Sequence, residues 1–528
     1  MTAQLCGIEN NVSLSREALI DLDIFPLFHG FYRTGRLLDD DTIEAFIKMY
    51  ISGDPHEISR RSEILEYLSA NEASKNLIET IIAECGNLSR NLHDIDSSLR
   101  PLQVYTQTLQ AMEAYTSSIE HMESLFANHN SNSPAVSTIS DFIIAEKASP
   151  FYAKVKDCLI HINTLIKPIK NVNLAVNIAE SGMPVQIGVT DINCGEYALN
   201  GLFSGPRDGI NSLCDTEPVK VRSSYIYLEG FILDQIEKQW ASPLKAALRL
   251  LSKIDLNNLR IWRDWLKHIS LYHVGLLLLL RLKEQNCHIC RPTPSANILD
   301  AKDIVYPHLA LSGHRPVSQM FSFSLGDIVM ITGANSSGKT SALKAFAQNT
   351  ILAQLGFWIP AREFHFIPYK KWFTVFSAGE DNEMRASRFQ QEAEQMSLAA
   401  KTSGSDSCIL LNEPFTSTNP IEAAILLRDI ILDINKKGCT LILVTHIYDV
   451  YPLLRQSANR PIRSYVTGLL TEAGKIKHTY TLKEKEPDGR SFARLLAAEY
   501  GFNITSMIKD FDKVIALENF MGGVINAE

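Results

Sequence analysis

Asp327 to Thr340 reads DIVMITGANSSGKT. An apolar run of strand character ends at Thr332. Gly333, Ala334, Asn335, Ser336, Ser337, Gly338, Lys339 and Thr340 then spell G-x-x-x-x-G-K-T. A helical pattern follows from Thr340 to Leu355. Strand, glycine-rich loop and helix in that order are the context in which this motif cradles phosphates. Its glycines let the backbone curl so that N–H groups face inward, and the helix N-terminus adds partial positive charge. The pattern implies a nucleoside triphosphate, with Lys339 reaching its β and γ phosphates and the Thr340 hydroxyl serving a Mg²⁺ ion.

Downstream, strand and helix patterns alternate: Ser407 to Leu411 as strand, Ile421 to Ile434 as helix, Cys439 to Thr445 as strand. Such alternation implies a parallel sheet with crossover helices. Both later strands end in polar residues. The run CILLNEP ends at Asn412 and Glu413, and LILVTH ends at Thr445 and His446. Polar groups at the C-terminal ends of central strands line the crevice where such sheets bind ligands. Glu413 is the candidate to orient and activate a water. His446 is the candidate to sense a γ-phosphate, the alternative being a core or capping histidine.

Upstream, residues 1 to about 165 read as helix almost throughout, with Ile43, Phe46, Ile47 and Tyr50 at helical spacing. Asp54-Pro55 marks a helix start, and Asn128 to Pro134 a polar loop. Between about Asn171 and Leu228 the texture changes to alternating Val, Leu and Ile punctuated by Gly and Pro, a small β-rich insertion. Helical character resumes from Glu229 to Leu282, with Trp240, Trp262 and Trp265 read as core packing rather than a base-stacking platform. A break falls at Arg291-Pro292-Thr293-Pro294-Ser295. The expected division is a helical domain over 1–290 with its insertion at about 171–228, an α/β domain over 291–500 and a helical tail over 501–528.

Composition bounds the function. The 528 residues carry 51 Lys and Arg against 59 Asp and Glu, a net charge of −8. Any nucleic-acid contact then needs a local patch, because phosphate binding scales with the cations that reach the backbone. The longest basic runs are pairs, Arg60-Arg61, Lys370-Lys371 and Lys436-Lys437. The apolar stretch Val274 to Leu280 is far short of the roughly 20 residues a bilayer needs, so no membrane partner is expected. Nine scattered cysteines and no visible signal peptide suit a reducing, cytoplasmic setting. Cys287 and Cys290 read as two half-buried thiols, the alternative being half of a zinc site whose second pair is not in view.

With the three strand-end elements in order, the region from about 305 to 500 resembles the ATPase domain of the MutS family of DNA mismatch-repair proteins. Ile331 to Thr340 is similar to that family's T-G-P-N-x-x-G-K-S, including Asn335. Gln354-Leu-Gly356-Phe-Trp-Ile-Pro360-Ala361 resembles its Y-I-G-x-Y-V-P-A segment, and Ser387-Arg-Phe389-Gln-Gln-Glu392 its S-T-F-M-x-E. Glu413-Pro-Phe-Thr416-Ser417-Thr418 stands in place of its E-x-G-R-G-T-S loop, and Thr445-His446 matches its T-H. More faintly, Thr34-Gly35-Arg36-Leu37-Leu38 with Arg60 to Leu68 is similar to the opening of the family's helical lever. Gly489-Arg490-Ser491-Phe492-Ala493 is similar to a motif after its last strand.

The resemblance implies a multidomain chain: an all-α lever (core) domain with a small β insertion, then an ABC-like α/β P-loop NTPase domain. It implies ATP and Mg²⁺ as cofactors, hydrolysis through Glu413 and His446, and a homodimer with composite sites. In that dimer Ser387 completes the partner's nucleotide site and ATP switches a clamp on DNA. Asn412 stands where most P-loop ATPases carry the Asp that holds the magnesium shell, which implies slower turnover. Val317 stands where the family often has an aromatic. The first 30 residues have no room for the family's mismatch-reading or connector domains. Three other readings stay open: a weakly hydrolysing nucleotide-switched scaffold, an RNA- or ribosome-acting relative, and a membrane-transporter ATPase. Against the last, no L-S-G-G-Q string precedes Asn412-Glu413.

Overall fold

The computed structural model describes residues 5, 7, 11–33, 36–71, 73–98, 100–126, 133–165, 171–178, 180, 184–193, 236–238, 241–376, 385–416, 418–458, 460–472 and 475–487. The chain is multidomain and mixes helix with sheet. It divides into two compact units, Met1–Leu5 with Asn71–Ser270, and Cys6–Ala70 with Leu271–Glu528. The tail expected over 501–528, the motif at 489–493 and most of the insertion beyond residue 193 lie outside the described residues, as does Ser417.

The first unit is built on the helices Ala73–Ser97, Pro101–Phe126, Pro134–Lys147, Pro150–Leu165, Ala241–Leu251 and Leu256–Leu266. In Pro101–Phe126 the buried positions Leu102, Tyr105, Thr108, Met112, Tyr115, Ile119, Met122 and Phe126 recur every three or four residues, one apolar stripe facing a core. Trp262 is buried, stacks on Trp265 with ring centroids 5.0 Å apart and donates its indole N–H to Ser118 Oγ at 2.8 Å. It is a core residue. The helical pattern over Glu229 to Leu282 is interrupted at Asp255, whose carboxylate accepts the N–H of Asn257 at 3.0 Å and caps a new helix. Of the β-rich insertion, Asn171–Ile178 and Pro184–Asn193 pair antiparallel as a hairpin.

The second unit centres on a six-stranded sheet. Its strands, in chain order, are β1 (Ile328–Thr332), β2 (Lys371–Phe376), β3 (Ser407–Asn412), β4 (Thr440–Val444), β5 (Ile462–Glu472) and β6 (Lys475–Glu484). They lie in the order β2-β3-β4-β1-β5-β6. All neighbours are parallel except the β5–β6 pair. β1 and β4 are buried at every position, which is why IVMIT and TLILV are unbroken apolar runs: a parallel strand is covered on both faces. Helix α1 (Lys339–Gln354) follows β1, α2 (Arg385–Thr402) follows β2 and α3 (Pro420–Asn435) follows β3. α3 starts at Asn419, whose side chain accepts the N–H of Ile421 at 2.9 Å, with Pro420 at the first position. A smaller sheet orders Thr293–Pro294, Glu363–Phe366, Ile298–Ile304 and Gln319–Ser324.

Residues 11–70, read in sequence with the helical half, pack in this second unit around α1. That helix is buried on nearly all sides, including Gln348, Asn349, Thr350 and Gln354 at 0% exposure. A buried amide needs partners, and the N-terminal segment supplies them for Gln348 and Gln354. Gln348 Nε2 donates to the carbonyls of Leu22 and Asp23 at 2.8 Å each, and Gln354 Nε2 to that of Ser52 at 2.9 Å. Lys344 Nζ pairs with Asp23 at 2.7 Å. Arg61, half of a basic pair in the sequence, is 2% exposed; it pairs with Glu57 at 2.7 Å and donates to the carbonyls of Tyr50 and Gly7. It is a structural cation with no reach to solvent.

Candidate functional site

Where β1 ends, the chain leaves the sheet between its two parallel neighbours, β4 and β5. In a parallel sheet this is the crevice that takes ligands. Gly333 has φ +147°, and a Cβ there would lie 1.8 Å from Thr467 Oγ1 of β5. Gly338, at the mouth of α1, has φ +91°. Both glycines are therefore required by the turn. Ser336 also takes a left-handed φ, +58°. The Ala334 carbonyl accepts the Ser337 hydroxyl at 2.6 Å and Lys339 Nζ at 2.9 Å, while Thr467 Oγ1 donates to Ser337 Oγ at 2.7 Å. The loop is thus fixed from within and from β5.

A cavity of about 470 Å³ opens against this loop. Ser336, Ser337, Gly338, Lys339 and Thr340 form one wall with Glu413, and Gly333, Ala334 and Asn335 form the entry to the loop. Its other side includes Tyr306, Val317, Gln319 and Tyr480. Val317, the position at which the resembled family often has an aromatic, lines this pocket. The aromatics, Tyr306 and Tyr480, come from outside the motif. Tyr306 is held by its hydroxyl on Asp23 Oδ2 at 2.6 Å, and Gln319 Nε2 donates to the Tyr480 carbonyl at 2.6 Å. The sequence signal for Tyr480 is only its alternation in β6, HTYTL, which marks a strand and not a site.

The strand ends converge on the same place. Thr340 Oγ1 donates to Asn412 Oδ1 at 2.8 Å. Glu413 Oε1 lies 3.5 Å from Lys339 Nζ and 3.8 Å from His446 Nδ1. Two backbone bonds hold the strand ends, Glu413 N–H to the Val444 carbonyl at 2.8 Å and Thr445 N–H to that of Ile331 at 3.1 Å. Glu413 itself has φ +52°, a conformation that non-glycine residues rarely adopt and that clusters at functional sites. Ser387 falls in α2, and its side chain lies outside the described residues.

The electrostatics follow from burial and these neighbours. Lys339 is 4% exposed, and burial lowers its pKa, with Glu413 opposing. The imidazole of His446, then the ammonium of Lys339, hold the Glu413 carboxyl below the usual carboxylate range, against the burial that would raise it. Glu413 is therefore an ionised carboxylate at neutral pH, beside an ammonium that a phosphate would also attract. Thr340 Oγ1 and Asn412 Oδ1 are adjacent hard oxygen donors of the kind magnesium takes, so these residues fit that ion. Cys287 and Cys290 are both half-buried, as read, and burial pushes the Cys290 thiol up to about 12.

Residues 329–517 match the family model of MutS domain V. Among similar proteins are the "DNA-binding protein MutS2" of Pyrococcus furiosus, 32% identical over 153 residues, which is 26% of this chain and 26% of the relative. The "DNA mismatch repair protein MutS" of Thermus aquaticus is 27% identical over 127 residues, 24% of this chain and 16% of the relative. The "Endonuclease MutS2" of Pelotomaculum thermopropionicum is 30% identical over 176 residues, 33% of this chain and 22% of the relative. The matched part thus spans about a quarter or less of these relatives' length. Among the described residues no helix is long and apolar enough to cross a membrane.

Proposed function

Given that the chain belongs to the MutS family through its domain V, we propose that it is an ATP-switched, DNA-binding ATPase acting as a homodimer. The domain would be an ABC-like P-loop NTPase, with residues 333–340 holding the triphosphate. Lys339 bonds the β and γ phosphate oxygens. Thr340 and Asn412 hold Mg²⁺, which when bound supplies positive charge to those oxygens. Glu413 takes a proton from a water as the water's oxygen bonds to the γ phosphorus. The bond from that phosphorus to the β–γ bridging oxygen breaks, leaving ADP and phosphate. His446 stands beside Glu413 to sense the γ-phosphate, and Ser387 is the candidate contact to the partner's nucleotide.

The observation that carries this reading is the convergence of Lys339, Glu413 and His446 within 3.5 and 3.8 Å at a loop closed by Thr340 and Asn412. The names of the relatives above support DNA as the polyanion bound, and ATP closing two copies together is the switch proposed for it. Asn412 favours a second reading, a scaffold that binds nucleotide and turns it over slowly, because its amide brings no negative charge to the metal. Two substitutions separate the roles. Lys339→Ala should weaken ATP binding by about a hundredfold or more, the worth of two charge-assisted contacts. Glu413→Ala should keep binding and lose turnover, trapping the closed dimer. Equal phosphate release from wild type and Glu413→Ala refutes the role of Glu413, and release near background in wild type with ATP-dependent dimerisation selects the scaffold.

A further inference from the structure

The turn that carries Glu413 is gripped by α2. Glu392, only 6% exposed, accepts the backbone N–H of Phe415 on Oε2 at 2.7 Å. Phe389, three residues earlier on the same helix, sets its ring 5.2 Å from the Phe415 ring. Residues three apart share a helix face, so one face of α2 holds both the amide and the side chain of Phe415. Phe415 is 1% exposed and has φ +59°, and Glu413 two residues before it has φ +52°. Two left-handed non-glycine residues so close together persist only where their surroundings over-determine them. The Val444 carbonyl pins one end of the turn at 2.8 Å, and Glu392 pins the other.

The side chain of Glu413 has looser neighbours. Its distances to Lys339 and His446, 3.5 and 3.8 Å, exceed hydrogen-bond length. The direction of its carboxylate is therefore set by the backbone turn more than by those partners. We propose that Glu392 is a positioning residue for Glu413, and that with Phe389 it makes α2 the element whose placement decides whether the carboxylate is aimed at the phosphate loop. This rests on the reading of Glu413 as the base of ATP hydrolysis. It adds a link within one chain: α2 also carries Ser387, five residues before Glu392, so a contact that shifts α2 re-aims Glu413.

The test uses the full chain with Glu392→Ala, Glu392→Gln and Phe389→Ala, read by equilibrium binding of a fluorescent ATP analogue, single-turnover hydrolysis and hydrogen exchange of the peptide spanning 413–416. Glu392→Ala should leave analogue affinity within about twofold, lower kcat by about tenfold or more and speed exchange at the Phe415 amide. Phe389→Ala should do the same more weakly. Glu392→Gln keeps a carbonyl acceptor and should retain most of both activity and protection. Wild-type kcat and protection in Glu392→Ala overturns the proposal, as does a matched fall of affinity and kcat. So does a Glu392→Gln protein that is protected yet inactive. If wild type neither binds nor hydrolyses ATP, the parent reading has failed, and the exchange rates alone decide whether Glu392 holds the turn.

Discussion

Glu413 stands between Lys339 and His446, and its ionisation carries consequences for pH. Its folded pKa lies below the ordinary value of 4.5, through His446 first and Lys339 next. A depressed carboxylate contributes stability that is fully present above its unfolded pKa and is lost as pH falls through the folded one. The difference in melting temperature between wild type and Glu413→Gln should therefore hold constant from pH 7 down to about 4.5 and shrink only below that. A difference that fades between pH 7 and pH 5 would place the carboxyl in a raised-pKa environment instead. Asn412 gives a second residue-scale prediction. Its Oδ1 already accepts the Thr340 hydroxyl at 2.8 Å, so Asn412→Asp changes charge with little change of shape. Added ligand charge tightens hard-cation sites. The Mg²⁺ concentration for half-maximal ATP hydrolysis should drop roughly three- to tenfold; an unchanged or higher requirement argues that the residue stands outside the metal shell.

At the scale of elements, the glycine-rich loop depends on β5 as much as on its own glycines. Thr467 of β5 occupies the space in which a Gly333 side chain would sit, 1.8 Å from it, and donates to Ser337. Gly333→Ala should cost about 1–3 kcal/mol in denaturant unfolding, from overpacking and a forced φ together. Gly333→Ala combined with Thr467→Ser or Thr467→Ala tests the clash separately from φ. Strands β1, β3 and β4 were legible because buried parallel strands read as apolar runs, and the ends of those runs named Asn412, Glu413, Thr445 and His446. The loop was legible because only Gly fits φ near +90° or beyond at a crowded turn. Tyr306, Gln319, Thr467 and Tyr480 were not. Each sits in an ordinary strand or turn pattern, and its place comes from a tertiary contact that periodicity does not encode, a sheet pairing for Gln319, Thr467 and Tyr480 and the Asp23 carboxylate for Tyr306. Glu392 appeared only inside a resembling string, with no sign of which amide it would hold.

Across the whole chain, the same limit governs the first 70 residues. Their apolar spacing announces helix, and correctly so over Asp40–Tyr50 and Pro55–Ser69. It says nothing about what the segment packs against, where Gln348, Lys344 and Gln354 of α1 reach Leu22, Asp23 and Ser52 in the turns outside those helices. A chain with a net charge of −8 that binds DNA must do so through a local basic surface, and its affinity should fall steeply with salt. DNA affinity measured across salt with no nucleotide, ADP and ATP reads the proposed switch, and its absence in every nucleotide state would leave the scaffold reading in force. More direct is the mass of the purified protein in solution, by light scattering, with and without Mg-ATP. Wild type should gain mass toward a dimer with ATP, Glu413→Ala should stay there, and Lys339→Ala should not respond. A wild-type protein that ignores ATP in both mass and binding would contradict the proposed switch.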